Sequence, residues 1–97
     1  MTRYAVRAAD PGDLAAIRVL REGWAREHGV DPSADPGFAD RLDGWWQRQA
    51  AARHTWVAWA ERTPVGMAAV VRFERMPAPG RPDGAWGYVS QLWVDPH

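Results

Sequence analysis

Val6-Arg7-Ala8-Ala9-Asp10-Pro11-Gly12-Asp13-Leu14 carries a strand end and a helix start in one phrase, and the rest of the chain reads outward from it. On its N-terminal side, Tyr4 to Arg7 is short and β-prone, which predicts a first strand at or near a sheet edge. On its C-terminal side stand the residues that a helix N-terminus selects. Asp10 can accept from free backbone N–H groups, Pro11 suits the first helical position, and Asp13 favours the positive helix end. Leu14, Ile17, Leu20 and Trp24 then share one helical face, and Gly29 supplies the left-handed residue that stops the helix. The predicted first helix runs from Pro11 to His28.

A loop from Val30 to Asp35 leads to a second Asp-Pro-Gly at 35–37, followed by Phe38, Leu42, Trp45, Trp46 and Gln49 at helical spacing. This predicts a second helix from Pro36 to Ala52. The two triplets share capping chemistry and nothing around it, so they are not an internal repeat. From Thr55 to Ala60 the chain is apolar on both faces, as expected of an internal strand covered on both sides. Glu61-Arg62-Thr63-Pro64 predicts a hairpin turn into an antiparallel strand from Val65 to Phe73, in which Gly66 marks a close approach or a bulge. Arg75 to Gly84, with Pro77, Pro79, Pro82 and Gly80, reads as a surface loop forming a mobile rim. Trp86 to Val94 then alternates Tyr88, Ser90, Leu92 and Val94 against Val89, Gln91 and Trp93, which makes a fourth strand. The order of elements is β-α-α-β-β-β.

Composition narrows the chemistry. With 97 residues the chain supports one compact domain, since a domain of this size buries roughly 60 to 70% of its unfolded surface. Twelve Arg balance twelve Asp and Glu, with no Lys, so no net field draws in nucleic acid or an anionic membrane. The lack of Cys excludes disulfides, a thiolate nucleophile and sulfur-ligated metal. His28, His54 and His97 share no ligand spacing, so no metal is expected. Ser33 and Ser90 lack a Gly-x-Ser-x-Gly setting, which leaves a hydrolase triad unsupported. The longest apolar runs, Trp56 to Ala60 and Met67 to Val71, are far shorter than a membrane span or signal sequence, and a cytoplasmic protein is expected.

The order of elements and three local patterns together resemble the GNAT superfamily of acetyl-CoA-dependent N-acetyltransferases. The patterns are Val6 to Leu14, the turn Pro64-Val65-Gly66, and the strand end Leu92-Trp93-Val94-Asp95-Pro96. The resemblance implies an α/β (α+β) fold with a mixed, mostly antiparallel sheet, and makes residues 1–97 the N-terminal portion of a single domain lacking its C-terminal half. In the family, a Val-x-Pro strand end leads into an Arg or Gln-x-x-Gly-x-Gly or Ala loop that cradles the pyrophosphate, whereas this sequence stops at His97. The 97 residues alone are therefore expected neither to bind CoA well nor to turn over.

The implied reaction is transfer of acetyl from acetyl-CoA, as cosubstrate, to the primary amine of a small molecule or peptide by direct attack. By resemblance, the backbone N–H groups that meet acetyl-CoA lie at Leu92, Trp93 and Val94, exposed by a bulge and by splaying from a fifth strand. The side chains of Leu92 and Val94 are expected to be core, and Trp93 either packs or walls the acyl slot. Trp86 to Val94 holds no Asp or Glu, so Tyr88 and Ser90 are the only hydroxyl candidates for catalysis on that strand, unless both are ordinary strand residues. Glu22, Glu27 and Asp95 are accounted for by helix-surface or turn roles. Trp24, Trp45 and Trp46 fall on the helices that flank the family's acceptor side.

Two other readings stay open. One is a binding module in which Trp and Arg grip single-stranded nucleic acid or an aromatic ligand. The other is a non-catalytic regulatory half-domain that completes its sheet through the edge from Tyr88 to Val94, for instance as a homodimer.

Overall fold

The computed structural model describes residues 2–80 and 84–96. Its elements are β1 (Tyr4–Ala8), α1 (Leu14–Glu27), α2 (Phe38–Gln49), β2 (Arg53–Ala60), β3 (Thr63–Glu74) and β4 (Ala85–Val94). The strands form one antiparallel sheet in the order β1-β2-β3-β4, so β1 and β4 are its edges. The β-α-α-β-β-β order and the edge position of the first strand are as the sequence implies.

Local chemistry sets the helix ends. The Asp10 carboxylate accepts from Gly12 N–H at 2.7 Å while Asp13 reaches back to Asp10 N–H at 3.1 Å, a reciprocal cap that starts a short 3₁₀ turn at Pro11–Asp13 ahead of α1. At the other end, Gly29 adopts φ +81°. Its N–H donates to Arg26 C=O and that of Val30 to Ala25 C=O, which closes α1 as a Schellman motif. The second Asp-Pro-Gly behaves differently from the first. The Asp35 side chain pairs with Arg41 through two hydrogen bonds of 2.8 and 2.6 Å, and α2 begins only at Phe38. Within the loop from Val30 to Asp35 a further cap, Asp31 on Ser33, organises a 3₁₀ turn at Pro32–Ala34.

Both helices lie on one face of the sheet. Ile17 and Leu20 of α1, Leu42 of α2, Val57 of β2 and Met67 of β3 form the buried core, with Phe38, Trp45, Trp46, Trp59 and Trp93 packed around it. The expectation that the strand from Thr55 to Ala60 is covered on both sides is therefore corrected. Thr55 and Val57 are buried beneath the helices, whereas Trp56 and Ala58 face the opposite side and stay half-exposed. On that face Val6 pairs with Ala58, Ala58 with Gly66, and Gly66 with Val94. None of the described residues covers it.

The hairpin turn is shorter than the sequence suggested. Glu61 and Arg62 alone make it, Glu61 at φ +56°, and Thr63 and Pro64 already belong to β3. Pro64 is tolerated there because the β2–β3 register shifts between Ala58 and Trp59, beside it. Gly66 is the close approach foreseen: a Cβ at this position would lie 3.2 Å from the Trp93 carbonyl oxygen. In the Pro-rich segment, Arg75 N–H donates to Gly84 C=O at 2.8 Å and residues 75–80 are exposed, while Pro82, like His97, lies outside the described residues.

Candidate active site

The amphipathic face of α2 does not close fully onto the sheet. Phe38, Leu42, Trp45 and Trp46 overhang Thr55 of β2 and Met67 and Ala69 of β3, leaving a cleft of about 490 Å³ bounded on its far side by Ile17 and Arg21 of α1. A second depression of about 220 Å³, between Leu20 and Trp24 on α1 and Ser90, Leu92 and Trp93 on β4, shares Arg21, Met67 and Gln91 with the first. The two therefore adjoin, one between the helices and the other at the edge strand. The size of the first suits a small molecule, since such sites span roughly 300 to 1,000 Å³.

The geometry of β4 differs from simple alternation. Ala69 pairs with Gln91 but Val70 pairs with Val89, so Ser90 is an extra residue in the strand, a β-bulge. One inserted residue exchanges the faces of everything on one side of it. Tyr88, Gln91 and Trp93 accordingly register with the helix-facing residues Val71, Ala69 and Met67, and Val89, Leu92 and Val94 with the opposite face. This corrects the grouping of Tyr88, Ser90, Leu92 and Val94. It also corrects the expectation of core side chains at Leu92 and Val94, which are 72% and 65% exposed because they lie on the face that no described residue covers.

The main chain of β4 follows from one contact. Asp95 N–H donates to Val65 C=O at 2.8 Å. In an antiparallel ladder, inward and outward backbone groups alternate, so Trp93 and Gln91 direct their N–H groups at β3 while Leu92 and Val94 direct theirs at the free edge. Trp93 acts through its ring as well. Its indole N–H donates to Glu27 of α1 at 2.6 Å, and its outer edge lies against Gly23, where a Cβ would come within 2.8 Å. This occupies Glu27 in positioning the strand.

Of the two hydroxyl candidates, the fold brings one to the second depression. Ser90 lines it; its Oγ accepts from Arg53 Nη1 at 3.0 Å and lies 2.6 Å from Gln91 Oε1, to which it can donate. Tyr88 is exposed further along the strand and lines neither depression. Among the described residues, no carboxylate lines either one. The charged groups are arginines, which no motif in the sequence marks. Arg53 stacks its guanidinium on Trp45 at 4.8 Å and Arg21 on Trp24 at 4.6 Å. Burial pulls the Arg21 pKa down, and the Nε of Arg53 is buried with no hydrogen-bond partner. A signal for both existed in the pattern. Arg21 follows Ile17 by four residues on the apolar face of α1, and Arg53 precedes Thr55 by two on the core face of β2.

No family model matches the chain, and no curated protein matches it in sequence. Solved structures do match its fold. A predicted acetyltransferase of Clostridium acetobutylicum, crystallised with acetyl-CoA, superposes with a TM-score of 0.71 at 18% identity over 97% of this chain and 61% of its own. A GCN5-related N-acetyltransferase of Ralstonia eutropha JMP134 gives 0.66 at 25% identity over 97% and 63%. A Trypanosoma brucei acetyltransferase gives 0.67 at 22% over 97% and 61%. The chain has the GNAT fold. It spans about three fifths of the length of these GNAT-fold structures. Among the described residues, no group of three or more His, Asp and Glu is placed to hold a metal, and no helix is long and apolar enough to cross a membrane.

Proposed function

We propose that the chain is the N-terminal portion of a single acetyl-CoA-dependent N-acetyltransferase domain, which transfers acetyl to a primary amine by direct attack. The observation that carries this reading is the cleft between α1 and α2 adjoined by a second depression along β4 at Leu92, where backbone N–H groups of the strand face its free edge. Such fixed donors suit a thioester carbonyl oxygen, on which negative charge develops as the amine adds, and they require no reorganisation during the reaction. The segment from Leu92 through Trp93 to Val94 then holds the acyl end of acetyl-CoA, with Leu92 and Val94 as the donors, and the cleft beneath α2 holds the acceptor. Acetyl-CoA supplies the activated acyl group; the chain's own residues orient the two reactants, and no covalent enzyme intermediate is needed. Ser90, which lines the second depression, is the better placed of the two hydroxyls to take part in moving the amine proton, and Tyr88 the worse.

Leu92→Pro tests the donor assignment. Proline removes the edge-facing N–H without removing a ladder bond, which an edge strand tolerates. In full-length protein, release of CoA thiol from acetyl-CoA with an amine panel should fall by roughly 10²- to 10³-fold, the usual effect of losing one such donor. Unchanged turnover in a folded variant would remove Leu92 from the mechanism, and no thiol release from the unsubstituted protein with any amine would remove the transferase reading itself.

A further inference from the structure

The acceptor cleft has an uneven charge. Arg21 of α1, Arg41 and Arg48 of α2 and Arg53 of β2 line it, β3 and β4 add only the uncharged Met67, Ala69 and Gln91, and no carboxylate among the described residues lines it. Arg41 is committed to Asp35. Arg21, Arg48 and Arg53 have no carboxylate partner among the described residues, although the chain as a whole carries equal numbers of acids and bases. Arg53 is half-buried, its Nε lacks a hydrogen-bond partner, and its one hydrogen bond goes to the neutral Ser90. Partly desolvated guanidinium groups without counter-ions are costly, and an anion entering the cleft would offset that cost. Around them the wall is aromatic and aliphatic: Phe38, Leu42, Trp45 and Trp46.

From this arrangement we propose that the acceptor is a small amine that also carries a carboxylate and an apolar or aromatic body, of the kind an aromatic amino acid presents. The inference rests on the acetyl-transfer reading and deepens it. The carboxylate is held by Arg53 and Arg21 with Arg48 at the mouth, and the apolar body lies against Trp45, Trp46 and Phe38. The same cations account for deprotonation of the amine without a carboxylate base. Positive charge near an ammonium disfavours its protonated form, so the bound amine is neutral at lower pH than the free one. An amine without an anionic group meets the opposite effect, repulsion of its cation, and enters poorly. The concave shape, a cleft and not a long basic stripe, fits a small anion better than a nucleic-acid strand.

The test separates this proposal from the reading beneath it by measuring binding without transfer. With full-length protein and no acetyl-CoA, titration calorimetry compares 3-phenylpropionate, 2-phenylethylamine and phenylalanine. We expect 3-phenylpropionate to bind at least about tenfold more tightly than 2-phenylethylamine, the scale of one charge-assisted contact. Arg53→Gln and the exposed Arg48→Gln should each shrink that ratio, weakening 3-phenylpropionate and relieving the repulsion of 2-phenylethylamine, a comparison that cancels any loss of folded protein. The acid limb of the kcat/KM profile for phenylalanine should move to higher pH in Arg21→Gln. Equal affinities for the two probes, or thiol release as fast with 2-phenylethylamine as with phenylalanine, would overturn the acceptor class and leave acetyl transfer intact. Carboxylate preference without thiol release for any amine would overturn the transfer reading and with it the acceptor assignment. Displacement of 3-phenylpropionate by a single-stranded oligonucleotide would overturn the proposal in favour of nucleic acid.

Discussion

Gly23→Ala probes the packing that fixes β4 against α1, and two effects of opposite sign compete in it. Inside a helix alanine is favoured over glycine by about 1 kcal/mol, so propensity alone makes the substitution stabilising. Against it stands Trp93. The new Cβ would lie 2.8 Å from Cη2 of the indole, where ordinary contact begins at 3.4 Å. The ring is not free to step aside, because its N–H is held by Glu27 at 2.6 Å and its backbone is paired with Met67. Forcing a methyl into a packed site costs roughly 1–3 kcal/mol. The net effect is a destabilisation of up to about 2 kcal/mol, and each kcal/mol lowers Tm by roughly 4–8 °C in a domain of this size. Trp93→Phe removes the outer ring edge, so in that background the same substitution should stabilise by up to about 1 kcal/mol. Thermal unfolding followed by far-ultraviolet circular dichroism reads both. The same Tm shift in the two backgrounds would refute the contact between Gly23 and Trp93.

Ile17→Ala should cost about 2–5 kcal/mol, since the side chain is buried at the centre of the core, whereas Val19→Ala on the exposed side of α1 should cost under about 0.5 kcal/mol; urea unfolding of the pair checks the orientation of the helix. Gly29→Ala forces a Cβ into the left-handed conformation and should destabilise by about 1–2 kcal/mol, with Gly29→Asn costing less. The Arg41 guanidinium holds the Asp35 carboxyl below its ordinary range. A depressed folded pKa means stability that is present above the unfolded aspartate pKa and is lost as pH falls through the folded value. Asp35→Asn should therefore lower Tm at neutral pH and leave it unchanged in strong acid, and a difference constant with pH would show that the pair is not the cause.

The elements were legible because each is announced by local chemistry. Asp10 with Asp13 starts the first helix and Gly29 stops it as predicted, and both are contacts within a few residues of one another. Leu14, Ile17 and Leu20 fall on the core face that their spacing demands. What failed were statements about which faces are covered, and these depend on tertiary placement. The strand from Thr55 to Ala60 is apolar on both sides, yet α1 and α2 settle on the same side of it, a choice that no local pattern in either helix encodes. The second Asp-Pro-Gly looked like the first, but Asp35 also takes a bidentate partner six residues on, Arg41, and α2 begins only at Phe38.

The site was harder to read for a reason that lies in β4. A period-2 pattern assigns faces correctly only while register holds, and one extra residue exchanges them for the remainder of the strand. Tyr88, Ser90, Leu92 and Val94 alternate in the sequence as one set, but the bulge at Ser90 splits that set and turns Gln91 and Trp93 toward the helices. The same insertion brings Ser90 within hydrogen-bond reach of Arg53, joining the strand edge to the cationic cleft 37 residues earlier in the chain. Were Ser90 instead to pair with Ala69 in regular register, Gln91 and Trp93 would face away from α1 and Trp93 could not reach Glu27. A variant with Ser90 deleted should restore simple alternation. Because Gln91 already pairs with Ala69 and Val89 with Val70, the deletion leaves both halves of β4 in their present pairing and Trp93 on α1, and what it removes is the Ser90 hydroxyl that joins the strand to Arg53.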